Sequence, residues 1–404
     1  MIASVVPSAM EEVRSLLPNA RVTLVHDYLT ETGGAERVVA RLLTLFPQAR
    51  LHASAIEPSM VEPAFAERGV ETSFLGRVAA DKDRAKRLFP LFPLAFRRMR
   101  LAPTDLVLSS SSGFAHHVRP PDGALHVCYC YTPPRFLWDP AAYFRGRGAL
   151  RGALSPALAI LRARDRRAAQ RVDAYVAISQ HTADRIAAVY GRESVVIHPP
   201  VAVDRFAPSA ERSGRFLVVS RLVAYKRIDL AIQAATDASL PLDVIGEGPE
   251  RARLERMAGP TIRFLGRTSD AEVRAAMARC NALVVPGTED FGMTPVEAQA
   301  SGRPPVAFAA GGALETIEDG VSGFLVREAT PVAFAAGMRR AATAELAPER
   351  LVAASRRFDE TVFRARLGAF LDAALERHAA QARPHAAERM RAAVGGSAGS
   401  QAEP

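Results

Sequence analysis

The chain has 404 residues, 49% of them hydrophobic and 24% charged, with a formal charge of +9. This is globular composition, which excludes wholesale disorder, and no stretch approaches the ~18–20 uninterrupted apolar residues of a membrane-spanning helix. The length suits two domains of roughly 150–200 residues better than one.

Glu11, Glu12 and Arg14 stand where a signal peptide requires an apolar core, which argues against secretion by that route. Cys128, Cys130 and Cys280 make neither a disulfide framework nor a zinc spacing. A reducing, cytosolic compartment is expected. The positive charge is local. Residues 81–100 carry seven basic side chains (Lys82, Arg84, Lys86, Arg87, Arg97, Arg98, Arg100) against Asp81 and Asp83, and residues 145–171 carry eight arginines against Asp165. Such a basic first half calls for an anionic partner: nucleic acid, an anionic lipid surface or a phosphorylated substrate.

In chain order, residues 1–20 read as a flexible leader ending in Pro18-Asn19-Ala20. Arg21–Val25 is a β-branched run typical of a buried parallel strand; a polar loop with Gly33-Gly34 follows, then a helix from about Ala35 to Leu45. Similar strands are predicted at Thr104–Ser109, Ala124–Tyr129, Ala174–Ile178 and Val195–His198, with helices between them. Pro199-Pro200 breaks the pattern as a hinge. A second alternating run has strands at Arg215–Ser220, Leu242–Ile245, Ile262–Leu265, Ala282–Val285 and Pro305–Phe308. Strand then helix, repeated, predicts an α/β fold of two doubly wound parallel sheets, Rossmann-like and facing across a cleft. The expected units are residues 21–199, 200–348, a helical 349–380 packing back toward the first unit, and a disordered tail at 381–404.

The strongest chemical signal follows the Ala282–Val285 strand. A loop carries Glu289 and Gly292, and a helix is predicted from Thr294-Pro295, with Thr294 as its cap. Backbone N–H groups around Phe291, Gly292, Met293 and Thr294 would then face the cleft and suit anionic or hydroxyl oxygens. Glu289 and Glu297 flank that opening. They can grip sugar hydroxyls, or they can be solvated acids favoured by the helix dipole. Arg221 and Lys226 follow another strand and can face the cleft as a diphosphate site, or be surface charge. Gly33 and Gly34 allow close backbone approach to a ligand but do not form the G-x-G-x-x-G fingerprint, so a nicotinamide enzyme is poorly supported. Asp81-Lys82-Asp83 resembles a metal-binding D-x-D, but it lies in a basic helical stretch and reads as a solvated face.

Together these residues resemble a family. Val25–Arg37, Ser220–Arg227, Gly246–Pro249, Phe264–Gly266 and the Glu289…Glu297 pair, an E-x7-E motif, are similar to retaining glycosyltransferases of family GT4, which have the GT-B fold. The resemblance runs in order through about residues 21–375. Val127–Asp139 looks like bacterial polysaccharide mannosyltransferases.

The resemblance implies that residues 21–199 bind the acceptor and 200–348 the nucleotide sugar. Glu297 would hold the ribose. Glu289 would contact the donor sugar, helped by the N–H groups of Phe291, Gly292 and Met293. Arg221 and Lys226 would neutralise the leaving diphosphate. Gly34 would approach the same phosphates, and Gly266 lies near the base. No cofactor and no metal are implied; the donor is a GDP- or UDP-linked sugar, GDP-mannose first. The acceptor is a polyprenyl-diphosphate-linked saccharide at the cytoplasmic face of the inner membrane. Relatives usually carry a histidine that touches the donor sugar at the position of Tyr131, so Tyr131 is a catalytic candidate whose hydroxyl can still donate to that sugar but reaches further. His116, His117 and Arg135 are candidates to contact acceptor or sugar. Arg97, Arg98 and Arg100, among Phe and Leu, are candidates for contact with an anionic membrane. Two other readings are a GT-B-fold nucleotide-sugar 2-epimerase and a non-enzymatic nucleic-acid-binding protein using residues 145–171. The latter lacks any helix-turn-helix, zinc or aromatic RNA-binding pattern, so no nucleic-acid partner is expected.

Overall fold

A computed structural model describes residues 16–30, 33–57, 65, 69–76, 88–143 and 148–395. Most of the leader, the Asp81-Lys82-Asp83 segment with Arg84, Lys86 and Arg87, and the tail after Gly395 lie outside the described residues.

Short runs of buried apolar residues become strands, as their composition dictates. The first sheet contains β1 (Val22–His26), β2 (Arg50–Ala53), β3 (Val70–Thr72), β4 (Leu106–Ser111), β5 (Leu125–Cys130), β6 (Ala174–Ala177) and β7 (Val195–Val196), in the order β3-β2-β1-β4-β5-β6-β7. The second contains β8 (Phe216–Val219), β9 (Leu242–Ile245), β10 (Ile262–Gly266), β11 (Leu283–Val285), β12 (Pro305–Phe308) and β13 (Phe324–Val326), in the order β10-β9-β8-β11-β12-β13. Every pairing is parallel. β1, β4 and β5 are buried along their whole length, as strands covered on both faces must be. β2, β3 and β13 were not expected. They are three or four residues long, too short for a periodicity to show, and their strand character comes from pairing with β1, β2 and β12.

Each sheet reverses its strand order beside its first strand, between β1 and β4 and between β8 and β11. At such switch points the loops leaving adjacent strands diverge and open a crevice beyond the carboxyl ends. Residues after β1, β8 and β11 therefore become neighbours of the cleft, although up to about 260 positions separate them in sequence.

The halves are not independent bodies. Phe291 and Val296 of the second half join the core of the first, together with Phe358, Phe363, Leu367 and Leu371. The last three come from the final helix, Glu360–Gly395, which returns to the first half; the Phe363 ring meets Tyr129 edge-on at 5.8 Å. Polar contacts reinforce this. Glu315, in the second half, accepts from the N–H groups of Gln180 and His181 at 2.9 and 3.2 Å, and its carboxylate lies 3.0 Å from His198 Nε2. An acid of one half thus caps a helix of the other, where unpaired N–H groups and the helix dipole favour negative charge.

The basic segments also find internal uses. Pro90 and Pro93 interrupt the segment near residue 90: a 3₁₀ turn, Phe89–Leu91, leads into a separate helix, Phe92–Arg98, with Pro93 in its first turn where a missing N–H costs nothing. Phe92 and Phe96 are core residues, whereas Arg97, Arg98 and Arg100 are exposed beside Leu91 and Leu94. Arg162 and Arg166, from the Gly148–Ala169 helix, lie over the Trp138 ring at 5.9 and 4.9 Å. No helix among the described residues is long and apolar enough to cross a membrane.

Two outcomes follow. Leu367→Ala should cost about 2–5 kcal/mol in urea unfolding, because it removes a fully buried side chain from the shared core; a loss below about 1 kcal/mol would detach the final helix from that core. Burial works against the Glu315 charge, but His198 and the Gln180 and His181 N–H groups outweigh it and hold the carboxyl below its ordinary range. Its contribution is therefore complete above the ordinary value of 4.5 and is lost as pH falls through the depressed folded value. Small-angle scattering should show expansion on acidification at higher pH for Glu315→Gln than for the parent chain; identical profiles would exclude this contact as a latch.

Candidate active site

The loop after β11 builds the second half's contribution. Gly292 takes φ +91°, a left-handed conformation that a side chain disfavours, and it caps the Met293–Ala300 helix. The helix thus begins before the predicted Thr294-Pro295 boundary, and Gly292 rather than Thr294 is the cap. The N–H groups of Phe291, Gly292, Met293 and Thr294 have no hydrogen-bond partner among the described residues. The turn is braced from behind, since a Cβ on Gly312 would fall onto the Phe291 backbone. The Phe291 ring points into the core, 5.4 Å from His198 and 5.2 Å from Phe358; only its backbone can serve a ligand.

Beside this helix start, Lys226 Nζ donates to both oxygens of Glu289, at 2.7 and 2.5 Å. Burial works against the Lys226 charge, but Glu289 outweighs it and keeps the ammonium above its ordinary range. Lys226 is therefore a permanent cation at working pH. Arg221 is exposed, two residues beyond the end of β8. Gly266 closes β10 in a left-handed conformation, and its carbonyl accepts from Gly246 N–H at 2.8 Å, joining two predicted loops on the β9–β10 side.

The first half faces this set with the Gly33-Gly34 turn. A Cβ on Gly34 would stand 3.2 Å from Met293 Sδ, so the loops after β1 and β11 approach one another closely. Beneath the turn lies a buried polar network. Tyr131 shares a 2.9 Å hydrogen bond with Ser110 Oγ and donates to the Ala35 carbonyl at 3.2 Å. Ser110 Oγ is 3.0 Å from His26 Nδ1, and His26 Nε2 is 3.6 Å from Glu36. Burial raises the Tyr131 pKa well above the ordinary phenol value, so the hydroxyl stays protonated. Its hydroxyl thus supports the start of the Gly34–Leu45 helix, correcting the expectation that it hydrogen-bonds a sugar. Next to it, Asp27 accepts from the N–H groups of Ser112, Gly113, Phe114 and Ala115 at 2.5–2.8 Å and locks the loop after β4.

His116 and His117 do not line the cleft. Both are buried inside the first half, with Nε2 atoms 3.1 and 2.9 Å from Asp165 Oδ1, while Asp165 Oδ2 accepts from Trp138 Nε1 and the Tyr190 hydroxyl at 2.7 Å each. Burial brings His117 down to about 4, whereas Asp165 outweighs burial and raises His116. Among the described residues this is the one cluster with metal-ligand geometry, but both carboxylate oxygens are already engaged. Its effect is to pin Trp138, and with it the Arg135–Trp138 helix, to the domain core.

Arg135 is delivered to the cleft. It donates to Asp290 at 2.7–3.2 Å and lies over the Tyr225 ring at 5.4 Å. Around it opens a cavity of ≈ 270 Å³ between the halves, lined by Arg135, His181 and Arg185 on one side and Tyr225, Arg227 and Phe308 on the other. Four participants carried no assigned role in the sequence: Asp27, Arg37, Asp290 and Glu315. Arg37 stands three residues beyond Gly34 and donates to Glu297 at 2.7 Å across the cleft. A basic residue one turn after a glycine loop was the only available sign.

A family profile described as Glycosyltransferase Family 4 matches residues 32–205, and one described as Glycosyl transferases group 1 matches residues 203–358. The chain is 32% identical over 219 residues to D-inositol 3-phosphate glycosyltransferase of Geodermatophilus obscurus, covering 46% of this chain and 48% of that protein. It is 29% identical over 201 residues to GDP-mannose-dependent alpha-(1-6)-phosphatidylinositol monomannoside mannosyltransferase of Mycolicibacterium smegmatis, covering 42% and 53%. The chain thus spans about half the length of these curated relatives. Among solved structures, Anabaena HepE in complex with UDP matches with TM-score 0.65 at 19% identity, covering 87% of this chain and 100% of that one. Sucrose-phosphate synthase of Thermosynechococcus elongatus matches with TM-score 0.67 at 15% identity, covering 87% and 98%. These likenesses concern the fold, which is GT-B. Two adjoining family matches, each on its own doubly wound half, show that the chain belongs to glycosyltransferase family 4.

Proposed function

We propose that the protein is a retaining hexosyltransferase that uses a nucleoside-diphosphate sugar, GDP-mannose first, and a lipid-linked oligosaccharide or polysaccharide precursor. The observation that carries this reading is the convergence of Lys226, Glu289, Glu297 and the unpaired N–H groups of Phe291–Thr294 on one crevice. Cations and N–H donors aimed at one point suit a diphosphate; carboxylates beside them suit hydroxyls. The Mycolicibacterium smegmatis relative is described as GDP-mannose-dependent, and Anabaena HepE is complexed with UDP; both support a nucleoside diphosphate.

In this reading Glu297 accepts from the ribose and Glu289 from the donor sugar. Lys226, Arg221 and the helix-start N–H groups stabilise negative charge as it grows on the diphosphate, when the anomeric carbon–oxygen bond breaks. The acceptor hydroxyl attacks from the same face and passes its proton to the departing phosphate oxygen, so configuration is retained. These fixed cations would take the place of a metal. The 270 Å³ cavity, with the Tyr225 and Phe308 rings and the Arg135–Asp290 pair, suits an acceptor saccharide. Arg97, Arg98 and Arg100 would hold the protein on an anionic cytoplasmic leaflet, about 1 kcal/mol each.

Purified protein should release nucleoside diphosphate from GDP-mannose, UDP-glucose, UDP-galactose or UDP-GlcNAc, with EDTA making no difference; release only with added metal would remove the metal-independent reading. Lys226→Ala should lower kcat roughly 10²–10³-fold with a smaller change in donor KM. Glu297→Ala should mainly weaken donor binding, about tenfold or more. Full activity in both variants would show that the site is elsewhere. Replacing Arg97, Arg98 and Arg100 by serine should release the protein from phosphatidylserine vesicles in a sedimentation assay; unchanged sedimentation would sink the membrane contact.

A further inference from the structure

We infer that Arg37 is a positioning residue that aims Glu297 at the ribose, so that the nucleotide's sugar is recognised by both halves of the protein together. This rests on the reading of Glu297 as the ribose-binding carboxylate.

The observation is the 2.7 Å hydrogen bond from Arg37 Nη1 to Glu297 Oε1. Glu297 is only 4% exposed. A carboxylate so buried needs a charged partner, or it turns away or takes up a proton. The second half supplies none to it among the described residues; the partner comes from the first half. Glu297 Oε1 is therefore fixed by Arg37, whereas Oε2 makes no hydrogen bond to a described residue and remains able to accept from a hydroxyl.

Arg37 itself is held. Its N–H closes the first helical turn onto the Gly33 carbonyl at 3.2 Å, and the Tyr131 hydroxyl anchors the Ala35 carbonyl beside it. The Gly33-Gly34 turn thus presents a guanidinium as well as bare backbone. Because the pair spans the cleft, Glu297 has its orienting partner only where the halves meet. Ribose affinity is then coupled to domain contact, and a donor bound to the second half alone forgoes it.

The test compares UDP and GDP with their 2′-deoxy and 3′-deoxy forms, by calorimetry, on the parent chain and on Arg37→Ala, Arg37→Lys and Glu297→Gln. The parent should prefer a ribonucleotide over at least one deoxy form by roughly tenfold. Arg37→Ala should bring that ratio close to one while leaving affinity for the deoxy form nearly unchanged, as should Glu297→Gln. Arg37→Lys should restore part of the preference, which a general fault in folding would not allow. An unchanged preference in Arg37→Ala overturns the inference; so does an equal loss for ribo and deoxy forms, which would place Arg37 on the phosphates or in the fold. A parent chain that binds the diphosphates without regard to the ribose hydroxyls overturns the role of Glu297 and the inference with it. Binding of neither diphosphate removes the transferase reading itself, a result separable from the others.

Discussion

A cation cannot be kept in a narrow protein cleft without a partner, because removing it from water costs more than any single contact returns. The arrangement of this molecule follows from that constraint. Lys226 is paired with Glu289, Arg37 with Glu297, Arg135 with Asp290, and His198 with Glu315. Three of the four pairs join the two halves. Paired charges therefore help set how the halves face one another, and the cleft is ordered by them.

The two halves use backbone N–H groups in opposite ways. Beyond β4, four of them are consumed by Asp27, which makes that loop rigid and leaves it nothing to offer an anion. Beyond β11 no side chain intervenes: Gly292 turns the chain so that the N–H groups of Phe291–Thr294 remain available. Rossmann-like topology supplies both crevices, but of these two loops the one beyond β11 is the one that leaves its N–H groups open. The first supplies a fixed wall, with Gly34 against Met293 and Arg37 on Glu297.

Residues that looked like ligand contacts serve the wall instead. The Tyr131 hydroxyl holds the Ala35 carbonyl, and His116 and His117 share Asp165 with Trp138 and Tyr190. These buried polar groups are satisfied by one another, which fixes a unique packing. Through Trp138 the second network also steadies the short helix that carries Arg135. Their contribution to the site is geometric and acts at one remove.

The sequence by itself determined the two doubly wound halves, and it set Gly33-Gly34, Arg221–Lys226 and Glu289–Gly292 in loops that follow strands of those halves. Buried parallel strands are continuous β-branched runs, and a glycine or proline beside such a run marks a turn, so both are local properties that spacing reveals. For Glu289, Glu297 and Lys226 spacing left both a ligand contact and a solvated charge open, and only the resemblance to a family gave them roles. Tertiary structure alone decided which side chains meet. Arg37 and Glu297 lie 260 positions apart, and nothing near either residue says that they touch. The edge strands β2, β3 and β13 exist only because a neighbour offers a register. Whether Tyr131, His116 and His117 face a cleft or a core depended on what packs over them, and that is set by the complete fold, since a side chain's surroundings come from every element around it and its sequence neighbours supply only one.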